Sequence, residues 1–403
     1  MKTSVQVLDF KQTGELVKEM KKLGVDPKGI QLMQPKGLHY ILKIKELSSP
    51  AATIIKQELL SRGGEAALPW AALNQKIKRT ALLLFGTKLQ YKKLIKKLKI
   101  QPFQLDQVAR QIEDLLLRIE KPVAKLIIGK KSFNLAKKTI LMGILNITPD
   151  SFSDGGKFLS PQQAIAQANK LLRAGADIID IGAESSRPGA KAISASEELK
   201  RLLPVIRALL KNKKALISID TTKASVAKKC LELGAHMIND ISGLKKDPQM
   251  AKVIAKYKVP VIIMHRSGSS KVMQKKTGYK DLVSDILLSL EESIVKAEQA
   301  GIAREKIIID PGIGFGKTTE QNLEIFKRLK EFKSLGLPIL IGASRKSVIG
   351  NVLNTPVDKR LEGTLALSAL AIGQGASILR VHDIKENRQV LKLCNAVFNT
   401  PRT

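Results

Sequence analysis

The chain of 403 residues is 44% hydrophobic and 26% charged, with 28 Gly and 16 Pro, fractions that exclude collagen-like, low-complexity and wholly disordered chains. Lys and Arg number 69 against 36 Asp and Glu, a formal charge of +33 that raises nucleic acid as a partner. The two cysteines, Cys230 and Cys394, are too few and too far apart for a disulfide framework or a zinc site, so both are expected as reduced thiols in helices.

The opening, MKTSVQVLDFKQTGEL, has neither the apolar core nor the cleavage site of a signal peptide. No apolar run approaches the roughly 18 residues of a membrane-spanning helix. Both features point to a cytoplasmic protein with no membrane partner. Residues 1–130 mix helical stretches (13–23, 52–61, 105–117) with short apolar pieces (30–33, 39–44, 80–85) and read as a small α+β domain of unassigned role. Arg62-Gly-Gly-Glu65 reads as a tight turn, since such pairs serve more often as turns than as ligand loops. In residues 91–100, YKKLIKKLKI, apolar residues recur every three or four positions, a basic amphipathic helix. Aromatics make up 4% of the chain and do not interleave with the lysines, so there is no base-stacking platform and the lysines read as a solvated face. Residues 1–130 hold 25 Lys and Arg against 11 Asp and Glu, and the rest hold 44 against 25. A charge spread so evenly predicts no specific nucleic-acid partner. Residues 119–134 read as a linker.

From residue 140 onward short β-branched runs ending in polar residues alternate with helical stretches. The runs are 141–147, 177–183, 216–220, 236–241, 261–265, 307–312, 338–344 and 377–383, with helices such as 161–174, 197–211, 223–233 and 281–300 between them. Eight strands alternating with helices in this length match a (β/α)8 TIM barrel; an open doubly wound sheet usually has fewer strands and a glycine fingerprint after the first. Polar residues stand at every strand end: Asn146, Glu184, Asp220, Asn239 and Asp240, His265, Asp310, Ser344-Arg345-Lys346, then Arg380, His382 and Asp383. In a barrel these ends converge on one mouth, where active sites sit. Unpaired buried polar groups are costly, so a rim of this kind points to catalysis.

The first strand runs into Asn146-Ile-Thr-Pro-Asp-Ser-Phe-Ser-Asp-Gly-Gly156, which reads as a mobile lid bearing Asp150 and Asp154. Asn146 can offer a carbonyl oxygen to Mg2+, an ion that relies on substrate phosphates for further ligands. After the second strand, Glu184-Ser-Ser-Arg-Pro-Gly189 adds hydroxyls and Arg187, a partner for phosphate or carboxylate. Asp310-Pro-Gly-Ile-Gly-Phe-Gly-Lys317 is neither a Walker A loop, for Pro311 stands where a Gly is needed, nor a dinucleotide fingerprint, for Lys317 replaces its third Gly. It reads as a flexible glycine loop that lets backbone approach a flat ligand. Asp310 and Asn239 can hydrogen-bond along the edge of an aminopyrimidinone-type ring, with Asp220 as a deeper acceptor. Arg380 can stack on that ring and Lys346 can bond one of its heteroatoms.

Taken together these residues resemble the dihydropteroate synthase family. MGILNITPDSFSDGG, DIIDIGAESSRPGA, ISIDTTK, MINDISG, IIIDPGIGFGK, GASRKS and RVHD occur in family order, one per strand end, over about residues 138–397. The resemblance implies a (β/α)8 barrel over 135–400, preceded by the 1–130 extension, and a homodimer. It implies a transferase of folate biosynthesis that joins 6-hydroxymethyl-7,8-dihydropterin diphosphate to p-aminobenzoate with Mg2+, releasing diphosphate. Carried over by position, the pterin contacts are Asp220, Asn239, Met264, Asp310, Gly314, Lys346 and Arg380. The diphosphate would meet Asn146, Arg380 and His382, with Asn146 reaching Mg2+; Asn146, Asp220, Lys346, Arg380 and His382 form the catalytic set. Phe152, Asp154, Ser186, Arg187, Pro188, Phe315 and Ser347 are implied at p-aminobenzoate. The chain departs from the family pattern at Ala183, often Gly, at Ser186, often Thr, and in His265-Arg-Ser-Gly268.

The implied mechanism needs no strong base. Mg2+ on Asn146, with Arg380 and His382, would neutralise charge on the departing diphosphate, the pterin cation would be held by Asp220 and the ring contacts, and the uncharged aryl amine would attack while water is excluded. Two rivals remain. A pterin-binding methyltransferase shares the Asp and Asn edge, but the Ser344–Ser347 run and the two long first loops favour the synthase, since a methyl transfer has no diphosphate to bind. A basic nucleic-acid-binding module rests on the charge alone.

Overall fold

The computed structural model describes residues 3–8, 10, 13–148, 160–185, 192–268 and 277–399. They fall into two compact units, Met1–Leu117 and Arg118–Thr403.

In the first unit, strands β1 (His39–Ser48), β2 (Glu65–Ala67) and β3 (Arg79–Thr87) form an antiparallel sheet in the order β1-β3-β2. One face buries Leu42, Leu82 and Leu84 against Ala52, Ile55 and Leu59 of helix Ser49–Leu60, Tyr91, Leu94 and Leu98 of helix Lys88–Leu98, and Leu105, Ala109 and Ile112 of helix Leu105–Glu120. Lys88–Leu98 starts at a capping box, Thr87 with Gln90, and leaves Lys92, Lys93 and Lys96 in solvent. The lysines are therefore the outer face of a packed helix. Arg62-Gly-Gly-Glu65 is a turn: Gly63, at φ +74°, ends helix Ser49–Leu60, and the N–H groups of Gly63 and Gly64 donate to the carbonyls of Leu60 and Leu59. Residues 30–33 differ from the expectation of a separate apolar piece. They lie in helix Pro27–Met33, which Pro27 pre-organises at its first position and whose N-terminus the Asp26 carboxylate caps by accepting from Gly29 N–H at 2.8 Å.

The second unit is an eight-stranded parallel barrel made of β6 (Ile140–Asn146), β7 (Ile178–Gly182), β8 (Ile217–Asp220), β9 (Met237–Asp240), β10 (Val261–Met264), β11 (Ile307–Asp310), β12 (Leu340–Ile341) and β13 (Ile378–Val381). The order β11-β10-β9-β8-β7-β6-β13-β12 is closed by a parallel bridge between Ile309 and Ile339. Helices such as Pro161–Arg173, Ala195–Leu210, Ala224–Leu233 and Leu282–Gln299 follow the strands, so each strand is buried on both faces and reads as an apolar run. Cys230 is buried and Cys394 half-buried, both free and both in helices.

Residues expected as a linker instead complete the barrel. Strands β4 (Lys125–Ile128) and β5 (Lys131–Asn134) form an antiparallel hairpin. Its Leu126, Ile128 and Phe133 pack against Met142, Ile178, Leu216, Met237, Ile262, Ile308, Leu340 and Ile378, at least one residue from each barrel strand or its entry. The hairpin plugs the end where the strands begin, and this unit starts at Arg118 rather than near residue 135. Each buried Leu, Ile or Phe contributes about 1.5–3 kcal/mol, which together rivals the whole stability of a typical domain, about 5–15 kcal/mol. A chain starting at residue 118 is therefore expected to fold, and one starting at 135 to precipitate or melt at a far lower temperature in calorimetry. Equal melting temperatures would rule out the plug.

Candidate active site

Along the barrel strands the inward positions change from apolar to polar toward the C-terminal ends. The register aligns Asp180 with Ser218, Asp220 with Asn239 and Met264 with Asp310. These residues line the upper lumen above the apolar layer of Ile178, Leu216, Met237, Ile262 and Ile308. A strand's period of two thus delivers Asp220, Asn239, Met264 and Asp310 to one place from four strands.

Arg380, on β13, is the centre of the arrangement. Its Nε donates to Asp180 Oδ2 at 2.6 Å and one Nη donates to Asp220 Oδ2 at 2.8 Å. Asn239 Nδ2 donates to the same Asp180 oxygen at 3.0 Å. Arg380, Asp180, Asp220 and Asn239 therefore form one hydrogen-bonded chain across four strands. Burial opposes the charge of Arg380, but Asp180 and Asp220 hold it above its ordinary pKa. Burial pushes the Asp220 carboxyl up to about 7, aided by Asp180 and only partly countered by Arg380. Asp180 was not among the sequence candidates; within the apolar run Ile178–Gly182 only its charge could have marked it.

The glycine loop is pinned, not flexible. Gly312, Gly314 and Gly316 take φ of +74°, +80° and +67°, and a Cβ on Gly312 would stand 1.9 Å from His265 O. The buried Lys317 amine donates to Gly312 O at 2.9 Å, Phe315 O at 3.1 Å and His265 Nδ1 at 3.0 Å. Asn322 Oδ1 accepts from Gly314 N–H at 2.7 Å. Sequence reasoning missed Asn322, and it placed His265 and Lys317 without this role. Burial, reinforced by Lys317, lowers the His265 pKa to about 2, so its ring is a neutral acceptor. The loop holds Asp310, whose carboxyl burial raises against the pull of Lys346 and of Gly312 N–H, which donates to its Oδ1 at 2.7 Å.

Lys346 reaches this pocket from the other side. Its amine donates to Ile313 O and lies 4.4 Å from the centre of the Phe315 ring. Burial lowers its pKa to about 8, with Asp310 and Asp220 acting to keep it charged. The preceding residue, Arg345, takes φ +58° and binds Asp383 through Nε at 3.0 Å and an Nη at 2.5 Å. This bidentate pair locks the loop after β12 to the end of β13, so Asp383 is structural. Ser347 is exposed at the start of helix Ser347–Leu353. His382 Nδ1 lies 3.0 Å from Ser344 Oγ. Burial, with Arg380 and Arg345, lowers its pKa to about 3. Burial thus holds the His382 ring toward its uncharged form.

Two rim residues have partners elsewhere. Asp240 closes its own turn, accepting from Ser242 N–H and Oγ and from Leu244 N–H. Glu184 pairs with Lys223, which also binds the buried Glu198 at 2.5 Å. Asn146 ends β6, half-buried. Phe152, Asp154, Ser186, Arg187 and Pro188 lie outside the described residues, as do Asp150 and Gly189. No group of three His, Cys, Asp or Glu that could cage a metal ion occurs among the described residues, nor any helix long and apolar enough to cross a membrane.

A family model described as pterin binding enzyme matches residues 142–382. A dihydropteroate synthase of Clostridium beijerinckii is 49% identical over 271 residues, 67% of this chain and 98% of that one. A probable bifunctional folylpolyglutamate synthase/dihydropteroate synthase of Halobacterium salinarum is 39% identical over 373 residues, 92% of this chain and 44% of its own. That match is too long for the barrel unit alone, so it takes in part of the first unit. The crystal structure of a dihydropteroate synthase from Clostridium difficile in the presence of pteroic acid is 48% identical, covers 66% of this chain and 100% of its own, and superposes with a TM-score of 0.62.

Proposed function

The chain belongs to the dihydropteroate synthase family of pterin-binding enzymes, and from that membership we propose how its own residues carry the reaction. It condenses 6-hydroxymethyl-7,8-dihydropterin diphosphate with p-aminobenzoate, giving 7,8-dihydropteroate and diphosphate, a step of folate biosynthesis. One observation carries the assignment of residues: the hydrogen-bonded chain of Asn239, Asp180, Arg380 and Asp220, with Lys346 and Asp310 acting on each other's charge beside it.

In this reading Asp310, Asn239 and Lys346 take the polar edge of the pterin, with Met264 and Gly314 along its walls. Arg380, its plane fixed by two carboxylates, lies against the ring and turns its remaining donors to the diphosphate. Asp220, once ionised, stabilises positive charge on the pterin as the C–O bond breaks. His382 donates to the diphosphate as a neutral imidazole. Phe315 and Ser347, together with Phe152, Asp154, Ser186, Arg187 and Pro188, take p-aminobenzoate, whose uncharged amine attacks without a strong base. The carboxamide oxygen of Asn146 is a hard donor suited to Mg2+, and with no caging cluster among the described residues the ion would rest mainly on diphosphate oxygens. Bound there, Mg2+ supplies charge neutralisation for the leaving diphosphate.

The barrel unit supplies every described residue of this reading, and the first unit is an appendage shared with the halobacterial relative. A homodimer is supported by Leu370 on helix Leu361–Gln374 and by Leu393, Val397 and Phe398 on the adjoining helix Ile384–Asn399, apolar side chains at least half exposed. The test is release of diphosphate that depends on p-aminobenzoate, with dihydropteroate identified as the product; release without the aryl amine would refute the reading. Ionisation of Asp220 must raise kcat/KM for the pterin diphosphate as pH passes about 7, and loss of the Lys346 proton must lower it above about 8. Asp220→Asn is expected to remove the rising limb. The same preparation should sediment at twice 44.1 kDa.

A further inference from the structure

Resting on that reading of the barrel mouth, we propose that Asp180 is a positioning residue that decides which end of the Asn239 carboxamide faces the pterin and fixes the plane of Arg380. An ionised carboxylate only accepts hydrogen bonds. Asn239 has one donor end and one acceptor end. Its Nδ2 donates to Asp180 Oδ2 at 3.0 Å, so its Oδ1 is the end left for a ligand. Asn239 is thereby an acceptor for a ring N–H or amino group, and a carboxamide turned the other way would set donor against donor.

The same Oδ2 takes Arg380 Nε at 2.6 Å while Asp220 takes an Nη at 2.8 Å. Two carboxylates on two edges leave a planar guanidinium no freedom to rotate. Asp180 is wholly buried, and its other oxygen, Oδ1, has no hydrogen-bond partner among the described residues. Its described partners are thus two proposed substrate contacts from β9 and β13. Asp180 lies one inward position below the mouth on β7, aligned with Ile144 and Ser218, and acts through these two neighbours.

Asp180→Asn tests this with little change of volume. The new amide can set its carbonyl oxygen where Oδ2 stands and its nitrogen where the unpartnered Oδ1 stands, so it keeps both hydrogen bonds but holds neither neighbour by charge. The KM for the pterin diphosphate is expected to rise about 3- to 10-fold, since a neutral hydrogen bond is about half as strong as a charged one, with the KM for p-aminobenzoate within about twofold of its starting value. Asp180→Ala leaves Asn239 Nδ2 and Arg380 Nε without this acceptor, and is expected to raise the pterin KM about 10- to 100-fold, the worth of one hydrogen bond to a charged group. An unchanged pterin KM in Asp180→Ala, or equal rises in both KM values, would overturn the proposal while leaving the activity of the unaltered enzyme intact. An unaltered enzyme that makes no dihydropteroate would instead overturn the functional reading on which it rests.

Discussion

Lys346→Ala and Asp310→Asn are each expected to lower kcat/KM for the pterin diphosphate by about thirtyfold to several thousandfold, because each removes a buried charged group proposed to hydrogen-bond the pterin edge, and truncating one partner of such a contact costs about 2–5 kcal/mol. The two groups depend on each other. Burial drives the Asp310 carboxyl and the Lys346 amine toward their neutral forms, and each opposes that drift in its partner. Lys346→Ala also removes the amine that donates to Ile313 O and lies over Phe315, so the glycine loop loses a tether as well as a charge. The loss should appear in binding before chemistry. Calorimetry with the pterin diphosphate is expected to give no measurable heat for either variant at concentrations that saturate the unaltered protein. Normal pterin binding by either variant would remove both residues from the ring edge.

Gly312→Ala is expected to damage the barrel as well as the site. The left-handed φ of +74° costs a non-glycine residue about 1–2 kcal/mol. The added Cβ would also stand 1.9 Å from His265 O and 3.1 Å from His265 C, backbone atoms at the end of β10 that cannot rotate away. Overpacking of this kind adds about 1–3 kcal/mol or more. At about 2–4 °C per kcal/mol for a domain of some 150–250 residues, the melting temperature should fall by roughly 5–15 °C, with pterin affinity falling too as Asp310 and Phe315 shift. Gly301→Ala separates the two terms, since Gly301 has φ +93° but nothing nearer than Ala255 Cβ at 3.9 Å. It should cost only the backbone term. Equal losses for the two variants would refute the clash.

The barrel and its functional end were legible in the linear chain. Apolar runs of strand length, alternating with helical periodicity and ending in polar residues, describe strands buried on both faces whose C-terminal ends share a rim, and β6–β13 lie within a residue or two of those runs except β12, whose regular part is only Leu340–Ile341. Asp220, Asn239, Asp310, Lys346 and Arg380 were legible for the same reason: each stands at a strand end or in the loop that follows it. The plug was not legible, because residues 125–134 make a short hairpin whose apolar residues have meaning only against the open end of a barrel. The glycine loop was read as flexible, and what pins it comes from Lys317, His265 and Asn322 through contacts that no local pattern records.

Backbone periodicity and the chemistry of strand ends are properties of neighbouring residues, and to that extent the amino-acid order alone determined the architecture and the polar rim, while the reaction class came from the resemblance of the strand-end motifs to the dihydropteroate synthase family. Which groups meet, and in what protonation state, was decided by tertiary structure. Arg380 finds Asp180 across 200 positions, His382 is held neutral by burial beside two arginines, and Asp220 titrates near 7 although it is ion-paired. Desolvation and through-space charge set these states, and neither exists until the strands have closed around the lumen.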